Sequence, residues 1–449
     1  MPVSPARAAA FEILLKVERE NSYASELLHS TRFSRLSGAD HGLATELTMG
    51  VLRWQALLDH ALGRASSQQL AKLDAEVLIA LRLGLYQLQF LSRIPVQAAT
   101  FESVELVKSA RKKSAAAFVN AVLRKLARER DASANAASRI DTIATSADSA
   151  ALALNSSHPE WLVESWVGYY GLEAARLICA HNQSVPPASL HVYDDQALAE
   201  FARAGIKFAP GQILSRARTV ISGDVTTTDA YRQGGIAIQD EASQLVALLV
   251  GRGESILDCC AAPGSKTALL ARRNPASQII AAELHPHRTR LLRRLACASN
   301  VHVVAGDARA LPFSKDFDRI LADVPCSGTG TLTRNPDIKW RLQPADLADL
   351  QSRQIAILKS ALSHLAPGGR LVYSTCSLER EENEAVVEAS LESTRGFKVA
   401  DCRDELMRLR QSGELLLDDL DRLLVGPYVR TIPGRHLCDG FFAAIIELK

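Results

Sequence analysis

Residues 255–273 read SILDCCAAPGSKTALLARR, and the fold of the C-terminal half turns on this stretch. It opens as a short apolar strand and closes as a helix, TALLARR, with the turn Asp258-Cys-Cys-Ala-Ala-Pro-Gly-Ser-Lys-Thr267 between them. Small residues and Gly264 let backbone approach a ligand closely, and the N-terminus of the helix favours negative charge. The turn is not a P-loop, because Ser265 precedes Lys266 where a glycine is needed. With one glycine it is not the dinucleotide GxGxxG either.

The same strand–helix alternation continues downstream. SQIIAAE, VHVVAGD, FDRILADVP and GRLVYSTC are short, apolar and β-rich; RTRLLRRLACAS and ADLADLQSRQIAILKSALSHLA are helical. This spacing predicts a parallel sheet covered on both faces over residues 236–449, with ligands at the carboxyl ends of its strands. Glu283 ends the second strand, where an acid can accept hydrogen bonds from ribose hydroxyls. Asp307 ends the third and Asp323 the fourth. Each acid alone reads equally as a strand-end cap. Three in succession beside a glycine loop point to an adenosyl-type cofactor lying across the sheet.

Upstream the period changes. Ala10, Ile13, Leu14 and Val17, then Leu78, Leu81, Leu85 and Leu88, then Ala115, Phe118, Val119 and Val122, form helical stripes. Residues 1–130 are expected to be an all-α domain of five to seven helices. Residues 131–150, DASANAASRIDTIATSADSA, are small and polar and predict a linker. An α+β middle domain is expected over 151–235. It starts at SSHPEWLVESW, with Ser157 as cap, Pro159 in the first turn and Trp161, Leu162 and Trp166 on the apolar face. Strands at SLHVY and TVI flank the helix QALAEFARAG.

Composition excludes little. The 47% hydrophobic and 23% charged content is that of a soluble globular protein. No run of apolar residues is long enough to span a bilayer and the first residues lack a signal-peptide core, so a cytoplasmic location without membrane partners is expected. Net charge is only +2. The charge is uneven, with Lys108, Arg111, Lys112, Lys113, Arg124, Lys125, Arg128 and Arg130 set against Glu129. That stripe reads either as a phosphate-binding surface or as a solvated helix face. The cysteines are scattered without a CxxC pair, which argues against a zinc site or a disulfide framework. No obligate protein partner is evident.

DCCAAPGSKT, DVPCSGTGTLTRNPDIKW and LVYSTCSLEREENE resemble the motifs of the RNA cytosine-5 methyltransferases of the NOP2/Sun group. FVNAVLRKL, HPEWLV, QDEASQLVALL and IPGRHLCDGFFAAIIE extend the resemblance over nearly the whole chain, to the bacterial small-subunit rRNA branch. In that branch a helical domain similar to the antitermination factor NusB precedes a Rossmann-like class I methyltransferase domain. The resemblance implies S-adenosyl-L-methionine as cofactor and 16S rRNA, or a small-subunit assembly intermediate, as partner. It implies that Cys260, Ala261, Ala262, Pro263, Gly264, Ser265 and Lys266 line the methionine and sugar of the cofactor. Glu283 would hold the ribose, Asp307 the adenine region, and Asp323 would face both cofactor and base. Ser265 stands where the family usually has a second glycine, and Glu283 where Asp is more frequent.

The chemistry asks for such a set. Carbon 5 of cytosine is a poor nucleophile until a thiolate adds to carbon 6; afterwards a base must remove the carbon 5 proton so that the thiolate can leave. Cys376, Cys326 and Asp323 are suitable residue types at two strand ends. Chemistry alone does not divide the thiols, since DNA cytosine-5 methyltransferases place their nucleophile in a Pro-Cys after the fourth strand. The resemblance, with Ser-Thr-Cys-Ser after the fifth strand, favours Cys376 as nucleophile and Cys326 as the release residue. Asp323-Val-Pro-Cys is not the Asp/Asn-Pro-Pro-Tyr of amino-group methyltransferases, and Thr329 stands where a zinc deaminase needs a cysteine. Methylation of a tRNA cytosine, and a non-catalytic RNA-binding or assembly role, remain open.

Overall fold

The computed structural model describes residues 3–33, 35–129 and 136–449. The chain divides into two units, Met1–Val185 with Leu332–Leu342, and Pro186–Thr331 with Gln343–Lys449. Among the described residues no helix is long and apolar enough to cross a membrane.

The first unit is helical: α1 (Pro5–Glu20), α2 (Ala24–Leu28), α3 (Gly38–Arg53), α4 (Gln55–Ala65), α5 (Ala75–Phe90), α6 (Val96–Ser109), α7 (Ala116–Arg128), α8 (Ala136–Ala144), α9 (Ser149–Asn155) and α10 (Glu160–Asn182). Helix α5 is its axis: every residue from Ile79 to Leu88 is buried, and its polar side chains there are paired, Arg82 with Asp59 and Gln87 with Arg7. Helix α7 is amphipathic, burying Val119, Val122 and Leu123 while Arg124, Lys125 and Arg128 face outward. Lys108 and Lys112 are ion-paired with Glu105 and Asp74, and Arg130 lies outside the described residues.

Two expectations differ here. The expected linker 131–150 carries α8 and the start of α9 in its described part, 136–150. Ile143 is fully buried and anchors a segment whose small residues gave no stripe. The helical unit also runs on to Val185, past the expected end at 130, because Leu162, Val163 and Trp166 of α10 bury in it and not in a middle domain. Ser157 does not cap α10. Its hydroxyl accepts from Ala56 and Leu57 N–H at 2.8 and 3.2 Å and so caps α4.

The segment Leu332–Leu342 completes this unit. The last turn of α3 leaves carbonyls without helical partners. Trp340 Nε1 donates to the Leu52 carbonyl at 2.6 Å, and Lys339 Nζ to that of Arg53 at 2.8 Å. Burial pushes the Lys339 ammonium well below its usual range, and the Arg53 charge adds to this.

The second unit holds two sheets. Strands β1 (Ser189–Val192), β2 (Lys207–Pro210), β3 (Ala217–Ser222) and β4 (Ile236–Ile238) pair antiparallel in the order β2-β3-β1-β4, with α11 (Gln196–Arg203) and α12 (Asp229–Arg232) between them in sequence. The large sheet contains β5 (Ser255–Asp258), β6 (Gln278–Glu283), β7 (Val301–Ala305), β8 (Phe317–Asp323), β9 (Leu365–Thr375), β10 (Phe397–Ala400), β11 (Leu424–Val425), β12 (Tyr428–Thr431) and β13 (Phe441–Leu448). Its helices are α13 (Glu241–Val250), α14 (Ser265–Arg273), α15 (Pro286–Leu295), α17 (Pro344–Leu362), α18 (Glu384–Ser393) and α19 (Cys402–Gln411); α16 (Ile338–Arg341) belongs to the first unit. Strands β7, β6, β5, β8 and β9 are parallel, as expected. The sheet is mixed, because β13 enters antiparallel beside β9 and carries β12 and β10 on its outer edge. FFAAII in β13 is buried throughout, an unbroken apolar run whose direction no periodicity reveals.

Where β13 begins, Gly330 N–H donates to the Cys376 carbonyl at 2.9 Å, and Gly440 N–H to the Gly330 carbonyl at 2.8 Å. A Cβ on Gly330 would lie 2.2 Å from the Gly440 carbonyl oxygen. Gly330→Ala is therefore expected to destabilise the protein by about 1–3 kcal/mol in urea denaturation, the usual cost of overpacking. Gly63→Ala, in an open position of α4, is expected to be neutral or to stabilise by about 0.5–1 kcal/mol. Equal effects at the two positions would contradict the packing argument.

Candidate active site

The order of the parallel strands reverses at β5, which pairs with β6 on one side and β8 on the other, so the carboxyl ends of β5 and β8 flank the crevice where such sheets bind ligands. Asp258 closes β5. It is buried, and its Oδ2 accepts from Thr267 Oγ1 at 2.7 Å while Oδ1 has no partner. Burial pushes the Asp258 carboxyl up to about 7, the Asp323 charge adds to this, and the Thr267 bond opposes it.

The turn after β5 is pinned by Cys259 N–H to the Leu321 carbonyl at 2.8 Å and by Ala261 N–H to the Ala282 carbonyl at 2.9 Å. Burial, and then the neighbouring Cys259, push the Cys260 thiol well above its usual range. Gly264 has φ +119° as it caps α14, and a Cβ there would sit 2.9 Å from Leu292 Cδ1. Only glycine fits both demands. Lys266, in the first turn of α14, reaches Asp323 Oδ2 at 2.8 Å. Burial opposes its charge, but the Asp323 carboxylate outweighs that, with Cys376 adding, and the ammonium is held above its ordinary value. The second oxygen of Asp323 accepts from Ser374 Oγ at 2.7 Å.

The two thiols meet: Cys326 Sγ lies 3.3 Å from Cys376 Sγ. The hydrogen bond to Cys376, burial and the charges of Cys376 and Glu382 push the Cys326 thiol well above its usual range. Cys326 therefore stays protonated beside its neighbour. Glu382 holds both loops. Its carboxylate accepts from Ser327 N–H at 2.8 Å and from the Ser327 hydroxyl, from Ser377 Oγ at 2.5 Å, and from Gln354 Nε2 at 2.8 Å. Ser327 follows Cys326 and Ser377 follows Cys376, so one buried acid holds the residue beside each sulfur.

The structure thus brings Lys266, Asp323, Cys326 and Cys376 together. Glu283 is buried at the end of β6, where Oε1 accepts from His285 N–H at 2.9 Å. Asp307 stands apart. Both its oxygens are taken by the Arg309 guanidinium at 2.6–3.0 Å, and this pairing holds the carboxyl below its usual range. Asp258, Ser374 and Glu382 were not singled out from sequence. Glu382 lay inside a quoted motif, but an acid in the run EREENE reads as surface charge.

Residues 245–447 match the family model described as 16S rRNA methyltransferase RsmB/F, and residues 4–128 match that of the NusB family. The chain is 36% identical over its full length to the probable ribosomal RNA small subunit methyltransferase B of Bacillus subtilis, also over that protein's full length. The chain belongs to the RsmB/F family of rRNA methyltransferases. A Vibrio cholerae ribosomal RNA small subunit methyltransferase B is 32% identical over 98% of this chain and 97% of its own. The solved structure of a methyltransferase homologue from Pyrococcus horikoshii shares the fold with a TM-score of 0.54 at 26% identity, covering 70% of this chain and 99% of that one. Two-domain RsmB/F architecture, NusB helices ahead of a methyltransferase sheet, accounts for the order of elements described above.

Asp258 gives this RsmB/F site a signature in pH. Its folded pKa of about 7 lies above the ordinary 3.8, so between these values the folded state holds more protons than the unfolded one. Its contribution to stability is full below the lower value and is lost as pH rises through the upper. Asp258→Asn should flatten the fall in thermal midpoint between about pH 4 and 7. A variant whose midpoint falls with pH as steeply as wild type would show that Asp258 is ionised in the folded protein.

Proposed function

We propose that the protein transfers the methyl group of S-adenosyl-L-methionine to carbon 5 of a cytosine in 16S rRNA, with Cys376 as nucleophile and Cys326 as the release residue. The observation that carries this reading is the pair of thiols 3.3 Å apart beside an Asp323 tied to Lys266.

The residues at the strand ends fit the cofactor. The buried Asp258 Oδ1 has no partner, Glu283 is a buried acid at the next strand end, and the Gly264 turn leaves no room for a side chain. Cys260 to Lys266, Glu283, Asp307 and Asp323 would form the wall; Asp307 would first have to release Arg309. When bound, the sulfonium supplies an electrophilic methyl group. The Cys376 thiolate forms a bond to carbon 6 of the cytosine, and the electron pair so displaced makes carbon 5 nucleophilic, with Asp323 and Lys266 handling charge at the ring. The carbon 5 so activated would take that methyl group, the donor's bonding pair staying on its sulfur as a neutral thioether. A base then removes the carbon 5 proton, the carbon–sulfur bond breaks and the Cys376 thiolate is restored. As the release residue, Cys326 would first give its own proton to solvent and then, as the thiolate, accept the carbon 5 proton.

The target base must leave its stack to reach a thiol among these loops, at a cost of a few kcal/mol, so an unpaired cytosine is the better substrate. The outward face of α7, with Arg124, Lys125 and Arg128, supports a role for the NusB-like helices in holding RNA. Cys376→Ala should abolish methyl transfer and form no covalent adduct. Cys326→Ala should attack and methylate but accumulate an RNA-linked band on a denaturing gel, sensitive to RNase. An adduct with Cys376→Ala and none with Cys326→Ala would exchange the two roles.

A further inference from the structure

Where the small antiparallel sheet meets the methyltransferase fold, within the second unit, lies a cavity of about 380 Å³ that the transfer chemistry does not use. Its walls come from the end of β1, the turn before β3, helix α14 and Glu414. We propose that this cavity is a second RNA-binding site, taking one nucleotide of the substrate strand by its phosphate and sugar, remote from the cytosine that is methylated. The proposal rests on the RNA reading above.

Three guanidinium groups line it, Arg216, Arg272 and Arg273, against one carboxylate, Glu414. Glu414 is consumed by Arg273, and the bond of Arg216 to Asp195 joins two half-exposed or more exposed side chains, which is worth little. Among the described residues Arg272 bonds to the neutral Gly234 carbonyl and to no carboxylate, and its guanidinium carbon lies 4.1 Å from the Tyr193 ring centre. A flat cation laid on an aromatic ring leaves its edge for a phosphate.

The other polar group is an acceptor. Gln244 donates its amide N–H to the Gln239 carbonyl at 2.9 Å, which turns its oxygen toward His191 Nδ1 at 2.8 Å. His191 Nδ1 therefore carries the proton and Nε2 keeps a lone pair. Burial, with the charges of the three arginines, holds that imidazole neutral by pushing it down to about 4. Cationic donors, a neutral acceptor and the apolar walls of Leu214, Leu248 and Leu269 are what a nucleotide presents in reverse: an anion, hydroxyls and a flat ring. The size lies within the range of small-ligand sites, and the junction of two sheets is a usual place for one.

The position suits an RNA anchor. Helix α14 begins at the Lys266 turn and ends at Arg272 and Arg273, roughly 12 Å away at 1.5 Å per residue. A single strand that places its cytosine at the thiols would reach the far end of that helix only with nucleotides further along it, by running beside α14.

The test measures binding of a fluorescein-labelled oligouridylate of about ten nucleotides to the full-chain protein over a salt series. Arg216→Ala with Arg272→Gln should weaken binding about tenfold and make the salt slope shallower by about 0.7 for each phosphate that is no longer neutralised. Arg216→Ala alone, at a half-exposed position, should weaken binding a few-fold with an unchanged melting curve. Wild-type affinity and slope in both variants would overturn the second site and leave the RNA reading standing. No binding by the wild-type protein even at low salt would overturn the second site, while the RNA reading itself stands or falls on methyl transfer to small-subunit rRNA.

Discussion

Strand β5 pairs with β6 on one flank and β8 on the other, and the site depends on that reversal of strand order. The reversal sets the ends of β5 and β8 side by side, although many residues separate them in sequence. Lys266 and Asp323 can meet only because of it, and their meeting solves an electrostatic problem. An isolated ammonium or carboxylate at a buried strand end would neutralise itself. Paired at 2.8 Å, with Ser374 on the remaining oxygen, the two charges support each other where a cofactor and a base would lie. The thiols follow from the same constraint one strand further on. Cys326 leaves β8, Cys376 leaves β9, and parallel neighbours deliver both sulfurs to one spot.

Glu382 and Gly330 turn that proximity into a fixed geometry. The Glu382 carboxylate takes four donors, two of them on Ser327 and one on Ser377. Gly330 passes a hydrogen bond from the Cys376 loop to the start of β13. The two sulfurs differ because of what surrounds them. Cys326 shares a hydrogen bond with its partner and lies near the Glu382 charge, and with burial these push its thiol well above its usual range. Identical side chains thus stand in different surroundings.

Much of this was legible in the chain. The parallel strands and their loops stood out because each strand is a short apolar run ending in an acid or a cysteine. Other features depend on partners distant in sequence. The direction of β13 is set by β9, and FFAAII reads equally well either way. Ser157 caps α4, a hundred residues upstream, where local reasoning gave it to α10. The stretch DVPCSGTGTLTRNPDIKW reads as one motif, yet its first half serves the thiols while Lys339 and Trp340 close the last turn of α3. Asp307 keeps its strand end but spends its carboxylate on Arg309, a pairing two residues long that an acid-at-strand-end rule does not consider.

Methyl transfer to carbon 5 is the claim on which the cysteine geometry bears most directly. Purified protein incubated with small-subunit ribosomal RNA and S-adenosyl-L-methionine carrying a labelled methyl group, followed by digestion and mass analysis of the nucleosides, reads the position of the methyl group. The thiol pair predicts label in 5-methylcytidine, at one or a few sites. Label in a ring-nitrogen, exocyclic-amine or ribose methyl product, or none in RNA that the protein demonstrably binds, would contradict it.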